Sequence, residues 1–326
     1  MPRKDPDPLE KAPLAYENSD FLNSPDGRLF RMMAEYQEPM TRFRKERIQD
    51  TVVFFGSARF RALDVASAEL ELLENTGSVK PAPADEQPAR PDELEASEQR
   101  KRLAQAAVEM AAYYEDARTL AGMVSKWAMT LPGRRHRYVI TSGGGPGIME
   151  AANRGAYEAG AKSIGLNIKL PFEQMPNPWI TPDLNFEFHY FFMRKFWFAY
   201  LAKALVVFPG GFGTLDEMFE LLTLAQTHKL AKKITVIIYG SAYWRSVIDM
   251  DVLADKGAIS RKDLELFQFA DTPEEAFEKL KAGLQEDMVQ GAAWEREHVP
   301  PTGPGVPAAP APDAQTLLGP DIAKTR

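Results

Sequence analysis

The chain has 326 residues, 44% of them hydrophobic, and a formal net charge of -7. That is enough for one large domain or two small ones with a sizeable core, and the negative charge argues against a protein that grips nucleic acid through its overall field. With no cysteine there are no disulfides, thiolate nucleophiles or cysteine-ligated metals, and His136, His189, His228 and His298 lack metal-binding spacing, so no metal is expected.

The first residues, MPRKDPDPLEKAPLAYENSD, put charges and prolines where an export signal would be apolar. The most apolar stretch, Phe196 to Phe208, contains Lys203 and is too short to span a hydrocarbon layer of roughly 30 Å. A cytoplasmic protein without membrane contact is expected. Residues 1–50 read as an N-terminal arm, disordered to about 20 and then helical, with Phe30, Met33, Ala34 and Tyr36 at helical spacing. TVVFF (51–55) reads as a buried strand ending at GSAR, and about 61–100, rich in acidic residues, alanine and proline, as a surface insertion.

A helix is expected over about 101–130 and a strand at RYVIT (137–141), followed by the glycine-rich SGGGPGIMEAANRGAYEAGAK and its helix. SIGLNIKL (163–170) is a third strand. A proline-broken loop and FEFHYFF lead to a helix around 193–203, then the strand ALVVF (204–208), PGGFGTLDE with its helix, and the strand ITVIIYG (234–240). Residues 291–326 form a Pro/Ala-rich tail, expected to be disordered. Strands that alternate with helices and read as continuous apolar runs predict an α/β fold over 51–290: a Rossmann-like, doubly wound parallel sheet with helices on both faces. Ligands of such sheets sit at the carboxyl ends of the strands.

Both glycine turns occupy that position. A strand, a glycine turn and a helix N-terminus leave unpaired N–H groups backed by the positive end of the helix dipole, a natural seat for phosphate. Gly143, Gly144, Gly145 and Gly147 in the first turn, and Gly210, Gly211, Gly213 and Thr214 in the second, are the candidates. Neither turn matches a P-loop or GxGxxG, which favours a mononucleotide. The plainer alternative is a pair of tight structural turns.

Two further features have double readings. Thr214-Leu215-Asp216-Glu217 fits a capping box, with Thr214 capping the helix and Glu217 bonding back, yet a carboxylate one turn into a phosphate-holding helix would also reach the ligand's sugar. Arg194 and Lys195 fall at a predicted helix start, where the dipole disfavours cations. They are either a solvated pair beside an apolar stripe of Phe192, Phe196, Ala199 and Tyr200, or partners of an anion. His228-Lys229 has the form of a pyridoxal phosphate pair, but Lys229 lies near a predicted helix C-terminus that favours a cation without chemistry, and no cofactor is expected.

PGGFGTLDE matches the PGGxGTxxE motif of the LOG ("Lonely Guy") family of nucleoside 5'-monophosphate phosphoribohydrolases at every fixed position. VVFFGSAR, YYEDARTLA, TSGGGPGIMEAANRGA and FFMRK resemble the family in the same order. The resemblance implies a Rossmann-like fold, usually dimeric, that cleaves a nucleoside monophosphate into free base and ribose 5-phosphate. It also implies that Arg194 and Glu217 are the catalytic pair, with Gly56 and Ser57 joining the two glycine turns around the phosphate. The GGGPGIMEAANRGA version, the arm, the insertion and the tail resemble longer bacterial relatives, which sets AMP, or a mixture of purine and pyrimidine monophosphates, beside the cytokinin nucleotides as expected substrates. A non-catalytic nucleotide or cofactor carrier on the same fold is the alternative.

Overall fold

The computed structural model describes residues 11–77, 91–171, 175–227, 229 and 233–298. Helices α1 (Ser19–Asn23) and α2 (Arg28–Lys45) lead into strand β1 (Thr51–Phe55), followed by α3 (Leu63–Gly77) and α4 (Pro91–Met129). Then come β2 (Val139–Ser142), α5 (Ile148–Glu158), β3 (Ser163–Ile168), a 3-10 turn (Pro182–Leu184) and β4 (Asn185–Phe188). The second half runs α6 (Phe191–Leu201), β5 (Ala202–Val207), α7 (Phe212–Gln226), β6 (Thr235–Tyr239), α8 (Ser241–Val247) and α9 (Met250–Asp255). A second 3-10 turn (Arg261–Leu266), β7 (Gln268–Ala270) and α10 (Pro273–His298) complete it.

The seven strands form one sheet in the order β4-β3-β2-β1-β5-β6-β7, and every pairing is parallel. Residues alternate between its faces, and both faces are covered. Val53, Phe55, Leu205 and Val207 pack with α2, α6 and α7, whereas Val52, Phe54, Ala204 and Val206 pack with α4, α5 and α10. Burial on both sides is why the strands read as unbroken apolar runs. The chain reverses direction across the sheet between β1 and β5, so the turns after these strands open onto the switch point where such sheets bind ligands.

The expected strand positions hold to within a residue or two, but several boundaries move. Residues 63–77, expected within a surface insertion, form α3, which packs on α4 and buries Ala66. The long helix begins at Pro91 rather than near 101. Composition cannot separate an insertion from a polar surface helix, because only a narrow stripe of α3 meets α4. The arm is also part of the domain: Met40, Phe43 and Ile48 lie in the core beside Trp197 and Phe186, while Phe30 and Met33 are exposed.

Residues 291–298, assigned to the tail, continue α10. The arm before residue 11, positions 78–90 of the expected insertion and positions 299–326 of the expected tail lie outside the described residues. The helix expected at 193–203 begins two residues earlier and ends at Leu201, and β5 starts at Ala202. Among the described residues, no helix is long and apolar enough to cross a membrane.

Candidate active site

The turn after β5 shows why this loop is glycine-rich. A Cβ on Gly210 would lie 2.2 Å from Thr214 Oγ1 and 3.0 Å from the Ser57 nitrogen, so the fold itself excludes a side chain. Tyr243 Oη donates to the Gly210 carbonyl at 3.0 Å and fixes the turn from behind. At Gly211 and Gly213 a Cβ would meet nothing within 4 Å. The space over these two glycines is open, and Phe212 between them is 92% exposed.

Helix α7 starts at Phe212 with Gly211 as its N-cap and no side-chain cap. This overturns the capping-box reading: Thr214 is already inside the first turn, and Glu217 lies a turn deeper. The pattern T-x-x-E is the same whether the helix begins at Thr214 or at Phe212, and the glycine turn sets the earlier start. The first N–H groups of α7 therefore point out of the turn uncapped, with the helix dipole behind them.

Glu217 is 8% exposed. Burial pushes its carboxyl up to about 7, against the opposing pull of Arg194 and Lys195. Among the described residues no hydrogen bond reaches this carboxyl, so its charge is balanced through space. Arg194 enters from the first turn of α6. Its Nε donates to the Leu166 carbonyl at 2.8 Å, and its Cζ lies 5.1 Å from the Phe198 ring centroid. Burial lowers the guanidinium below its ordinary value while Glu217 raises it, and a group of such high intrinsic pKa stays charged. A buried carboxyl thus lies within electrostatic reach of a half-buried cation at the carboxyl end of the sheet.

Lys195 takes another direction from its neighbour: its ammonium is 2.9 Å from both Asp216 Oδ2 and Glu220 Oε2. The adjacent cations, read from sequence as one pair, have separate partners. The dipole at this helix start is offset by the arm, since the Glu35 carboxylate accepts from the His189 N–H at 2.7 Å and the Tyr190 N–H at 3.2 Å.

The turn after β2 is held by a buried polar network. Ser142 Oγ donates to Asn153 Oδ1 at 2.6 Å and accepts from the Gly144 N–H at 3.0 Å. Asn177 Nδ2 lies within hydrogen-bond distance of the carbonyls of Gly144 (3.1 Å) and Gly145 (3.0 Å) and of Asn153 Oδ1 (2.9 Å). Gly144 and Gly147 have φ of +75° and +72°, which explains two of the glycines by conformation alone. Gly143 is explained by Arg194, whose Nη2 would be 2.6 Å from a Cβ there. The Ser142, Asn153 and Asn177 set is not visible in sequence, because its members are separated by loops and no spacing announces a network.

Gly56 is needed for packing, since a Cβ there would lie 2.7 Å from Ile148 side-chain atoms. The Ser57 N–H donates to the Pro209 carbonyl and the Ser57 carbonyl accepts from the Ile148 N–H, both at 3.0 Å. This residue joins the turns, and only its hydroxyl proton is left to offer a ligand. The structure thus brings Gly56, Ser57 and both glycine turns together at the switch point. Lys229 is exposed at the end of α7, and His228 lies outside the described residues. Among the described residues, no group of His, Asp or Glu could hold a metal ion.

A family model described as "Possible lysine decarboxylase" matches residues 149–280, a span containing both Arg194 and Glu217. The "Probable cytokinin riboside 5'-monophosphate phosphoribohydrolase LOGL3" of Oryza sativa subsp. japonica is 25% identical over 173 residues, covering 49% of this chain and 77% of the relative. The cytokinin riboside 5'-monophosphate phosphoribohydrolase LOG3 of Arabidopsis thaliana is 27% identical over 167 residues, covering 49% of this chain and 75% of the relative. Among solved structures, the molybdenum cofactor carrier protein of Chlamydomonas reinhardtii is similar at 21% identity, with a TM-score of 0.36 over 53% of this chain and 89% of that one. The family model spans both helices of the Arg194 and Glu217 pair, and the curated relatives to which the chain is similar are LOG phosphoribohydrolases.

Proposed function

We propose that this protein hydrolyses the N-glycosidic bond of a nucleoside 5'-monophosphate, of the AMP or cytokinin riboside monophosphate type, to free base and ribose 5-phosphate. The observation that carries the reading is Glu217: a buried carboxyl within electrostatic reach of Arg194, one turn inside a helix whose N-terminus is uncapped at the switch point. The 5'-phosphate sits on the N–H groups of Gly211 to Thr214, and the open space over Gly211 and Gly213 admits its oxygens. The sugar then extends toward Glu217.

Breaking the bond between C1' and the base nitrogen sends the bonding pair to the base and leaves oxocarbenium character at C1'. Ionised Glu217 stabilises that charge and orients the water whose oxygen bonds to C1'. The water's proton is released, and the departing base is neutralised by a proton. Arg194 holds the nucleotide and steadies the carboxylate. A cytoplasmic location and a homodimer complete the proposal; the exposed aromatic residues Phe191 and Phe192 at the start of α6 support the homodimer.

The test incubates the purified protein with AMP, GMP, CMP, UMP and isopentenyladenosine monophosphate and follows free base and ribose 5-phosphate by chromatography, with Glu217→Ala as control. Release that disappears in the variant is expected. No release from any nucleotide, with a raised melting temperature in their presence, would replace hydrolysis by a carrier function.

A further inference from the structure

Arg194 and Glu217 sit on different helices, and α6 and α7 both contribute to one apolar core cluster, with Met193 and Trp197 from the first and Met218 and Leu221 from the second. Apolar attraction is non-directional, and it names no particular pair of atoms that must stay together. Ion pairs are directional, and among the described residues the only ones joining α6 to α7 are those of Lys195 with Asp216 and Glu220. Asp216 and Glu220 are one turn apart on the same side of α7, and Glu217 lies between them in sequence. Lys195 follows Arg194 directly and is only 19% exposed.

We propose that Lys195 is a positioning residue: by bridging Asp216 and Glu220 it fixes the register of α6 against α7 and so holds Arg194 opposite Glu217. The inference rests on the reading of this pair as the centre of nucleotide hydrolysis. It accounts for a cation in the first turn of a helix, where the dipole opposes it, without a ligand contact. The two carboxylates already occupy the ammonium, which leaves anion binding to Arg194 and the backbone.

The test compares wild type with Lys195→Met, Lys195→Arg, the Asp216→Asn/Glu220→Gln double variant and the triple variant that adds Lys195→Met. Lys195→Met is expected to lower kcat for AMP cleavage by about 10- to 100-fold with KM within about threefold of wild type. Lys195→Arg should recover to within about threefold of wild type. The double variant should lose kcat as Lys195→Met does, and the triple variant should lose no more than about threefold beyond it. A rise in KM with kcat unchanged would make Lys195 a substrate contact and overturn the proposal, as would wild-type kinetics in Lys195→Met.

A second measurement does not depend on turnover. In 15N-arginine spectra the Arg194 Nε–H, bonded to the Leu166 carbonyl, should exchange about tenfold faster in Lys195→Met and in the double variant, and at the wild-type rate in Lys195→Arg. Unchanged exchange would refute the clamp. If wild type releases no base from any monophosphate, the hydrolytic reading fails while this exchange experiment still decides on the clamp.

Discussion

The guanidinium of Arg194 occupies the space above Gly143, where a Cβ would lie 2.6 Å from Nη2 and 2.7 Å from Met149 Sδ. Both atoms are far ends of flexible side chains, so alanine can be accommodated by turning them aside. Gly143→Ala is therefore expected to fold with a melting temperature within a few degrees of wild type but to lose about 10²-fold in turnover as Arg194 leaves its bond to Leu166. Steady-state kinetics beside a thermal melt make the check. Wild-type kcat would mean that the placement of Arg194 is unimportant.

Gly211 and Gly213 give the opposite case. No protein atom opposes a side chain at either position, and Gly213 is inside a helix, where alanine stabilises by about 1 kcal/mol. Gly211→Ala and Gly213→Ala should be as stable as wild type or more so, yet bind nucleotide at least tenfold more weakly because a methyl group occupies the phosphate seat. Calorimetric titration with AMP under conditions without turnover, in the Glu217→Gln background, tests this; unaltered affinity would move the phosphate elsewhere.

The Glu217 carboxyl sits at about 7 when folded, above its ordinary 4.5. The folded protein therefore binds the extra proton between these values, and stability declines as pH rises from about 4.5 through about 7. The difference corresponds to about 3 kcal/mol. Urea melts should show Glu217→Gln gaining on wild type as pH goes from 5 to 8, with the two close at pH 5. Turnover should rise through pH 7 as the carboxylate forms; an acid limb near 4.5 would contradict the burial argument.

Glu35 ties the arm to the helix carrying Arg194. Its carboxylate accepts from His189 and Tyr190, and Trp197 Nε1 donates to its carbonyl at 2.9 Å. Glu35→Ala should cost about 1–2 kcal/mol, as the loss of a helix cap does, and lower kcat more than it raises KM. Equilibrium unfolding with kinetics on the same preparation checks both.

The sheet was legible because its signal is local. Val52 to Phe55 and Ala204 to Val207 are apolar runs set by burial on both faces, and PGGFGTLDE is one contiguous motif. What escaped was long-range or weakly patterned. β7 is three residues, Gln268 to Ala270, without an apolar run, and α3 exposes most of its surface. The Glu35 carboxylate meets His189 across 154 positions, and no spacing rule connects them. Thr214 misled for a different reason: a local cap pattern was present, but the backbone turn preceding it had already begun the helix.

Ser57 joins strand β1 to both glycine turns through its own backbone, giving its N–H to Pro209 and receiving that of Ile148. Gly147 and Gly210 allow this approach, since a Cβ on either would crowd Ser57. The three segments are thereby keyed into one rigid seat before any ligand arrives. A nucleotide entering it has little loop entropy to remove, so more of its contact energy remains for holding the sugar against Glu217.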